Sequence, residues 1–263
     1  MTLESSSVAT APGHGQARPL AVEPGSPKRP SSGALARLFA ATEEENRRAI
    51  LRALPKAVGG RLLDIGTHRG DFALRVAKRT AAREVHGVEL IERHAIVARS
   101  HGIRVECADV EEGLPFPDRW FDVVHCNQLI EHLRDTDGLV SEVQRVLKPT
   151  GIAVLSTNNL SSWHNIVSLF LGLQPFPMHV SDRAIVGNRF NPEHGEPHED
   201  AGRIHVRLFT GRALAELGAL HGLFPVRVRT SGYYPLPPML ARMATRLDPL
   251  HGAFLIATFR RAK

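Results

Sequence analysis

Three acids and two glycines in this chain stand where runs of apolar residues give way to turns. In Leu62-Leu63-Asp64-Ile65-Gly66-Thr67-His68-Arg69-Gly70-Asp71-Phe72 the apolar run carries an acid and opens into a turn with Gly66 and Gly70. Glycine lets a backbone pass close to a ligand, and the carboxyl edge of an open α/β sheet is where such folds bind one. A tight strand-to-helix connection without a ligand explains the same turn. Glu89 ends the next apolar run, where a carboxylate can accept hydrogen bonds from both hydroxyls of a ribose. Asp109 follows the third run, where a carboxylate can take the exocyclic amine of adenine, although an Asp after a strand is also an ordinary turn residue or helix cap. Together Glu89 and Asp109 fit a nucleoside, and Asp64 before the turn suits an ammonium-bearing ligand. A dinucleotide fingerprint is disfavoured, because His68 and Asp71 occupy its second and third glycine positions.

A second group of residues could handle a proton. His132, in Leu129-Ile130-Glu131-His132-Leu133, follows the fourth apolar run, and a histidine at that edge is suited to deprotonating a hydroxyl. A histidine that merely starts a helix fits the same position. His164, His179, His194 and His198 fall in an irregular stretch and are not singled out by spacing, and the aromatics Trp163, Phe170, Phe176, Phe190, Tyr233 and Tyr234 read as walls of a lid or pocket. A core position for Phe170 stays open.

These residues need a sheet to hold them. Arg61 to Ile65, Glu84 to Val88, Ile103 to Cys107, Phe121 to Cys126 and Ile152 to Ser156 are short aliphatic and β-branched runs. Helical spacing lies between most of them, as in Leu139, Val143, Val146 and Leu147, closed by a Lys148-Pro149-Thr150-Gly151 turn, and it precedes them from Leu35 to Leu54. Strand and helix in alternation predict a parallel sheet with helices on both faces. The rhythm fails from about 158 to 207, a stretch dense in Pro, His, Asn and Gly that reads as a lid insertion, and resumes with a helix from Thr210 to His221 and strands Phe224 to Thr230 and Ala253 to Phe259.

Composition narrows the class. A chain of 263 residues, 43% hydrophobic, can bury one sizeable core with appendages. Residues 1–32, rich in Ser, Pro, Gly and Ala, predict a disordered tail, leaving 33–263 as one catalytic domain. Cys107 and Cys126 lie in no metal or disulfide spacing, which fits a reducing compartment. The longest apolar stretch, Ile166 to Leu173, is too short to span a bilayer, so a cytoplasmic protein is expected. The net charge of +6 is spread over scattered basic pairs, so a nucleic-acid partner is not expected.

The set of motifs resembles the class I S-adenosylmethionine-dependent methyltransferases, in particular the type 11-like subgroup that modifies small molecules, sugars, quinones and lipids. LLDIGTHRGDF is similar to the family's first nucleoside motif, GVEL to its second, and CADVEEGLPFPDRWFDVVHCNQLIEHL to its run from the adenine-binding acid through the fourth strand. RVLKPTGIAVLSTNN resembles the turn into the fifth strand, and IHVRLFTGRALAELGALHGLF the helix and sixth strand that close the sheet, so the resemblance covers about 54–259.

It implies a Rossmann-like doubly wound α/β sheet of seven strands, the last antiparallel, and S-adenosyl-L-methionine as methyl donor. Asp64, Gly66 and Gly70 would surround the donor's methionine, Glu89 its ribose, Asp109 and the Val110 backbone its adenine, and the Cys126 to Asn127 backbone its amino group. His68 departs from the motif's middle glycine, a place open to a side chain if its φ is negative.

In some relatives a segment resembling ExxEH, with a later histidine, binds a divalent metal beside the acceptor hydroxyl. Glu131, His132 and His205 match it in kind while Gln128 replaces the first acid, so no metal is expected and His132 stands as base or positioning residue. The expected reaction is in-line methyl transfer, O-methylation of a small-molecule or glycan-like acceptor, in a dry pocket. Its rivals are a metal-assisted RNA 2'-O-methyltransferase, a nicotinamide oxidoreductase and a non-catalytic nucleoside-binding module.

Overall fold

A computed structural model describes residues 33–197 and 204–262; the expected tail at 1–32 and His198 lie outside the described residues. Seven strands form one sheet in the order β3-β2-β1-β4-β5-β7-β6. They are β1 (Arg61–Ile65), β2 (Glu84–Glu89), β3 (Arg104–Cys107), β4 (Phe121–Asn127), β5 (Leu147–Asn158), β6 (Leu223–Ser231) and β7 (Phe254–Arg261). The first five run parallel, and β7 is antiparallel to both β5 and β6, as expected.

The central strands are mostly apolar because both faces are covered. On one face, Ile50 and Leu54 at the end of α1 (Ala34–Ala53) pack with Leu62, Val123, Val154 and Val76 of α2 (Asp71–Thr80). On the other, Leu63, Ile65, Val124 and Leu155 meet Leu139, Val140 and Val143 of α4 (Thr136–Val146) and Leu214 of α6 (Gly211–Leu220). Burying each such side chain contributes roughly 1.5–3 kcal/mol. A small third core under α3 (Glu92–Ser100) joins Ala95 and Ala98 to Ile103.

Two elements differ from the sequence reading. The Lys148 to Gly151 stretch is not a turn between helix and strand: β5 begins at Leu147 opposite Phe121, slips register, and resumes with Ile152 opposite Val123. Between β6 and β7 lies an unanticipated helix, α7 (Pro238–Leu247). In the expected lid region, α5 (Trp163–Phe170) is followed by irregular chain to residue 197, fastened by an Ala184–Pro197 bridge.

The order places β1 and β4 side by side, with the chain leaving β1 for β2 on one side and reaching β4 on the other. That reversal opens a crevice at the carboxyl ends of the strands.

Candidate active site

The turn after β1 is shaped by its backbone. Gly66 has φ +75° and Gly70 φ +87°. A Cβ on Gly66 would meet only Leu129 at ordinary contact, so this glycine answers to conformation. A Cβ on Gly70 would lie 2.5 Å from Ile103 Cδ1, so this one also lets α2 start hard against the α3 region. His68, whose side chain called for a negative φ, instead has φ +50°. The turn holds it there: its N–H donates to Glu89 Oε2 at 2.7 Å, and its ring lies 4.1 Å from that of His94.

Glu89 is buried at the end of β2 and organises the edge. Its other oxygen accepts from Ile91 N at 3.0 Å, and His94 Nδ1 stands 3.7 Å away. A carboxylate has about four acceptor positions, so two backbone donors leave capacity for a diol. Next to it Leu90 is 57% exposed, an apolar face that the sequence reading passed over. Asp109 accepts from Glu111 N at 2.9 Å and caps a short 3-10 turn, Val110–Glu112, with Val110 buried beneath it.

Asp64 has a partner that sequence reasoning missed. It is the register partner of His125 across β1 and β4, which puts both side chains on one face, and its buried carboxylate contacts His125 Nδ1. Phe72 of α2 packs edge-on against that imidazole at 5.3 Å. At the end of β4, Asn127 Oδ1 and Gln128 Nε2 are buried with no hydrogen-bond partner. Such orphaned groups at a ligand-binding edge fit a polar ligand end such as an amino acid. With Glu89 for a diol and Leu90 for a base, the residues present fit S-adenosylmethionine.

Beyond β4, a 3-10 turn, Ile130–His132, presents a second cluster. Ligand atoms of Glu131, His132 and His205 lie within 4.8 Å of one another. His205 comes from far along the chain because the Glu131 carbonyl accepts from Val206 N at 2.8 Å and Arg207 N at 3.1 Å. Glu131 is fully buried, takes hydrogen bonds from Thr157 Oγ1 (2.8 Å) and Asn158 Nδ2 (3.4 Å), and burial pushes its pKa up to about 7. His132 Nδ1 faces the Ile204 carbonyl at 3.3 Å and His205 Nδ1 the Pro177 carbonyl at 3.0 Å. Carbonyls only accept, so each Nδ1 carries a proton and donates it.

His205 also lines a cavity of about 40 Å³ with Asn158, His164, Phe176, His179 and Phe39. Of the insertion histidines, His164 and His179 are thus at the site; His164 sits against Phe176 and Tyr234, and burial lowers its pKa to about 4. Tyr233 and Tyr234 are buried, whereas Phe170 is 90% exposed, neither core nor pocket wall. Among the described residues no helix is long and apolar enough to cross a membrane.

A family model described as "Methyltransferase domain" matches residues 38–227. The chain is 34% identical over 108 residues to a ubiquinone biosynthesis O-methyltransferase of Neisseria meningitidis, covering 38% of this chain and 45% of that one. It is 34% identical over 122 residues to a demethylmenaquinone methyltransferase of Thermus thermophilus, covering 44% and 55%. The matched region thus spans about half the length of these curated relatives. An S-adenosylmethionine-dependent methyltransferase from Mesorhizobium loti shares the fold with a TM-score of 0.55 and 21% identity, over 85% of this chain and 100% of that one. A matched methyltransferase domain that runs from α1 into β6 and takes in the whole crevice makes this chain a member of the S-adenosylmethionine-dependent methyltransferase family.

Proposed function

We propose that this chain moves a methyl group from S-adenosylmethionine to a hydroxyl of a small-molecule acceptor. In this reading Glu89 holds the donor ribose, Leu90, Val110 and Asp109 the adenine, the Gly66 to Gly70 turn the methionine, and the end of β4 with Asn127 its amino group; Asp64 supports that edge through His125. The sulfonium already activates the methyl carbon, so the protein's task is alignment, exclusion of water and removal of one proton.

The observation that carries the hydroxyl acceptor is the pair His132 and His205: each directs Nδ1 to a backbone carbonyl, which leaves Nε2 as the basic nitrogen, and His205 lines the cavity. An imidazole so held can take the hydroxyl proton as oxygen attacks the methyl carbon and the carbon–sulfur bond breaks to give S-adenosylhomocysteine. The similarity to an O-methyltransferase supports the same atom. A cavity of about 40 Å³ has room for roughly three water molecules. A larger acceptor would have to displace side chains of the lining, Phe176 and His179 among them.

A second reading, transfer assisted by a divalent cation, rests on the same cluster. Imidazoles whose other nitrogen donates to a backbone carbonyl, next to a buried carboxylate, form the arrangement of an open two-histidine, one-carboxylate centre. Glu131, His132 and His205 would hold the ion, which would lower the acceptor hydroxyl's pKa. Two histidines favour Zn²⁺, Mn²⁺ or Fe²⁺ over Mg²⁺.

The test pairs calorimetric titration with S-adenosylhomocysteine and labelled methyl transfer to a panel of phenols and sugars. Micromolar binding that Glu89→Ala abolishes, with turnover lost in His132→Ala while binding stays, is the expected result. A folded protein that binds no S-adenosylhomocysteine overturns the reading. Titration with Zn²⁺ and Mn²⁺, repeated in His205→Ala, decides the metal question apart from turnover.

A further inference from the structure

Two helices near the cavity turn their large apolar side chains to solvent. α5 directs Asn165 and Ser168 inward, while Trp163, Val167 and Phe170, spaced along one stripe, are exposed. α7 reverses the usual order of a surface helix: Ala241 is its buried residue, with Ala244 and Thr245 half-buried, and Met239, Leu240, Met243 and Leu247 all face outward. Leu247 is 86% exposed, and Leu250 beyond it is exposed as well. Single exposed apolar residues are ordinary, but a continuous stripe on two helices is not.

The stripes share a junction. Trp163 Nε1 donates to Asp248 Oδ2 at 2.8 Å and Trp163 N to the His251 carbonyl at 3.1 Å, fastening the start of α5 to the residue that ends α7 and to the loop after it. Neither helix contains an acidic residue, and α7 adds the exposed Arg242 and Arg246 beside its apolar stripe. Large apolar side chains, a tryptophan at their margin and flanking arginines describe helices that lie in the interface of an anionic membrane. A twofold dimer through the same face would instead bring the arginines of two copies together.

We propose that the outer faces of α5 and α7 dock on an anionic lipid bilayer, with Phe170, Met243 and Leu247 entering the acyl boundary and Arg242 and Arg246 at the phosphates. α5 then has the cavity on one side and lipid on the other, so the proposed acceptor site lies one helix away from the membrane. The proposal is independent of the methyl-transfer reading, because binding to lipid is measured without turnover.

The experiment is co-sedimentation of the full chain with sucrose-loaded vesicles of phosphatidylcholine, with and without 40% phosphatidylglycerol. We expect binding to the anionic vesicles that weakens as salt rises, and little binding to the neutral ones. Phe170→Asp combined with Leu247→Asp should reduce it at least tenfold. Arg242→Ala and Arg246→Ala should each reduce it roughly fivefold and flatten the salt dependence. Unchanged thermal melting and S-adenosylhomocysteine titration in these variants show that the fold is intact. Absence of binding to anionic vesicles, or binding that none of the variants alters, overturns the proposal. So does a dimer in light scattering that Phe170→Asp with Leu247→Asp converts to monomer, since that face would then belong to a second copy.

Discussion

The backbone N–H of His68 donates to Oε2 of Glu89 across 2.7 Å, so the turn after β1 and the acid that ends β2 are fixed as one piece. The side chain of His68 adds a ring contact to His94 but the hydrogen bond needs only its amide, held at φ +50°. A non-glycine residue in that region carries a backbone cost of about 1–2 kcal/mol.

His68→Gly should therefore be mild. The amide and its bond to Glu89 survive and the φ cost disappears, offset by the greater freedom of the unfolded chain, so stability should stay within about 1 kcal/mol and S-adenosylhomocysteine affinity within about threefold. His68→Pro removes the donor and demands a negative φ, and should cost about 3 kcal/mol and at least tenfold in affinity. Urea denaturation and calorimetric titration of the two variants side by side check both; equal behaviour would show that the amide bond does not matter.

Asp64 and His125 make a buried pair across adjacent strands, so losing one leaves the other without its partner. His125→Leu should destabilise the fold by about 2–4 kcal/mol. Asp64→Asn keeps an acceptor for the His125 N–H and should cost clearly less. A double-mutant cycle of His125→Leu with Asp64→Leu, read by urea denaturation, should give a coupling of more than about 1 kcal/mol; additivity would mean that the pair is not coupled.

His164 introduces a pH dependence whose sign is fixed. Burial lowers its pKa to about 4 in the folded protein from 6.5 in the unfolded chain, so the unfolded state binds a proton first as pH falls. The stability contributed by the neutral ring is complete above about pH 6.5 and is lost progressively down to about pH 4. The loss is on the order of 3 kcal/mol. Urea midpoints of the wild type should fall over this window more steeply than those of His164→Gln. Parallel curves would place the acid sensitivity elsewhere.

The strands were legible because a sheet covered on both faces writes itself as short apolar runs, and Glu89 because it ends one of them. Other features depend on partners far away in the chain. Nothing in the spacing of Asp64 and His125 foretells a register that sets them side by side, and His205 reaches Glu131 only because backbone amides at 206 and 207 bind the Glu131 carbonyl. α7 went unseen for a different reason: its packed side consists of alanine and threonine, so its hydrophobic pattern points away from the core that pattern recognition assumes. The positive φ of His68 likewise comes from its neighbours, since the residue type favours the opposite sign.

The position of β7 bears on the order in which the molecule can assemble. β6 has no bond to β5; β7, later in the chain, lies between them and pairs with both. The parallel half of the sheet can form before β7 is made, but β6 and the α7 helix packed on it have no sheet to join until β7 follows. The β7–β6 side of the sheet is therefore the last to close, and until it does the growing chain presents an unpaired β5 edge.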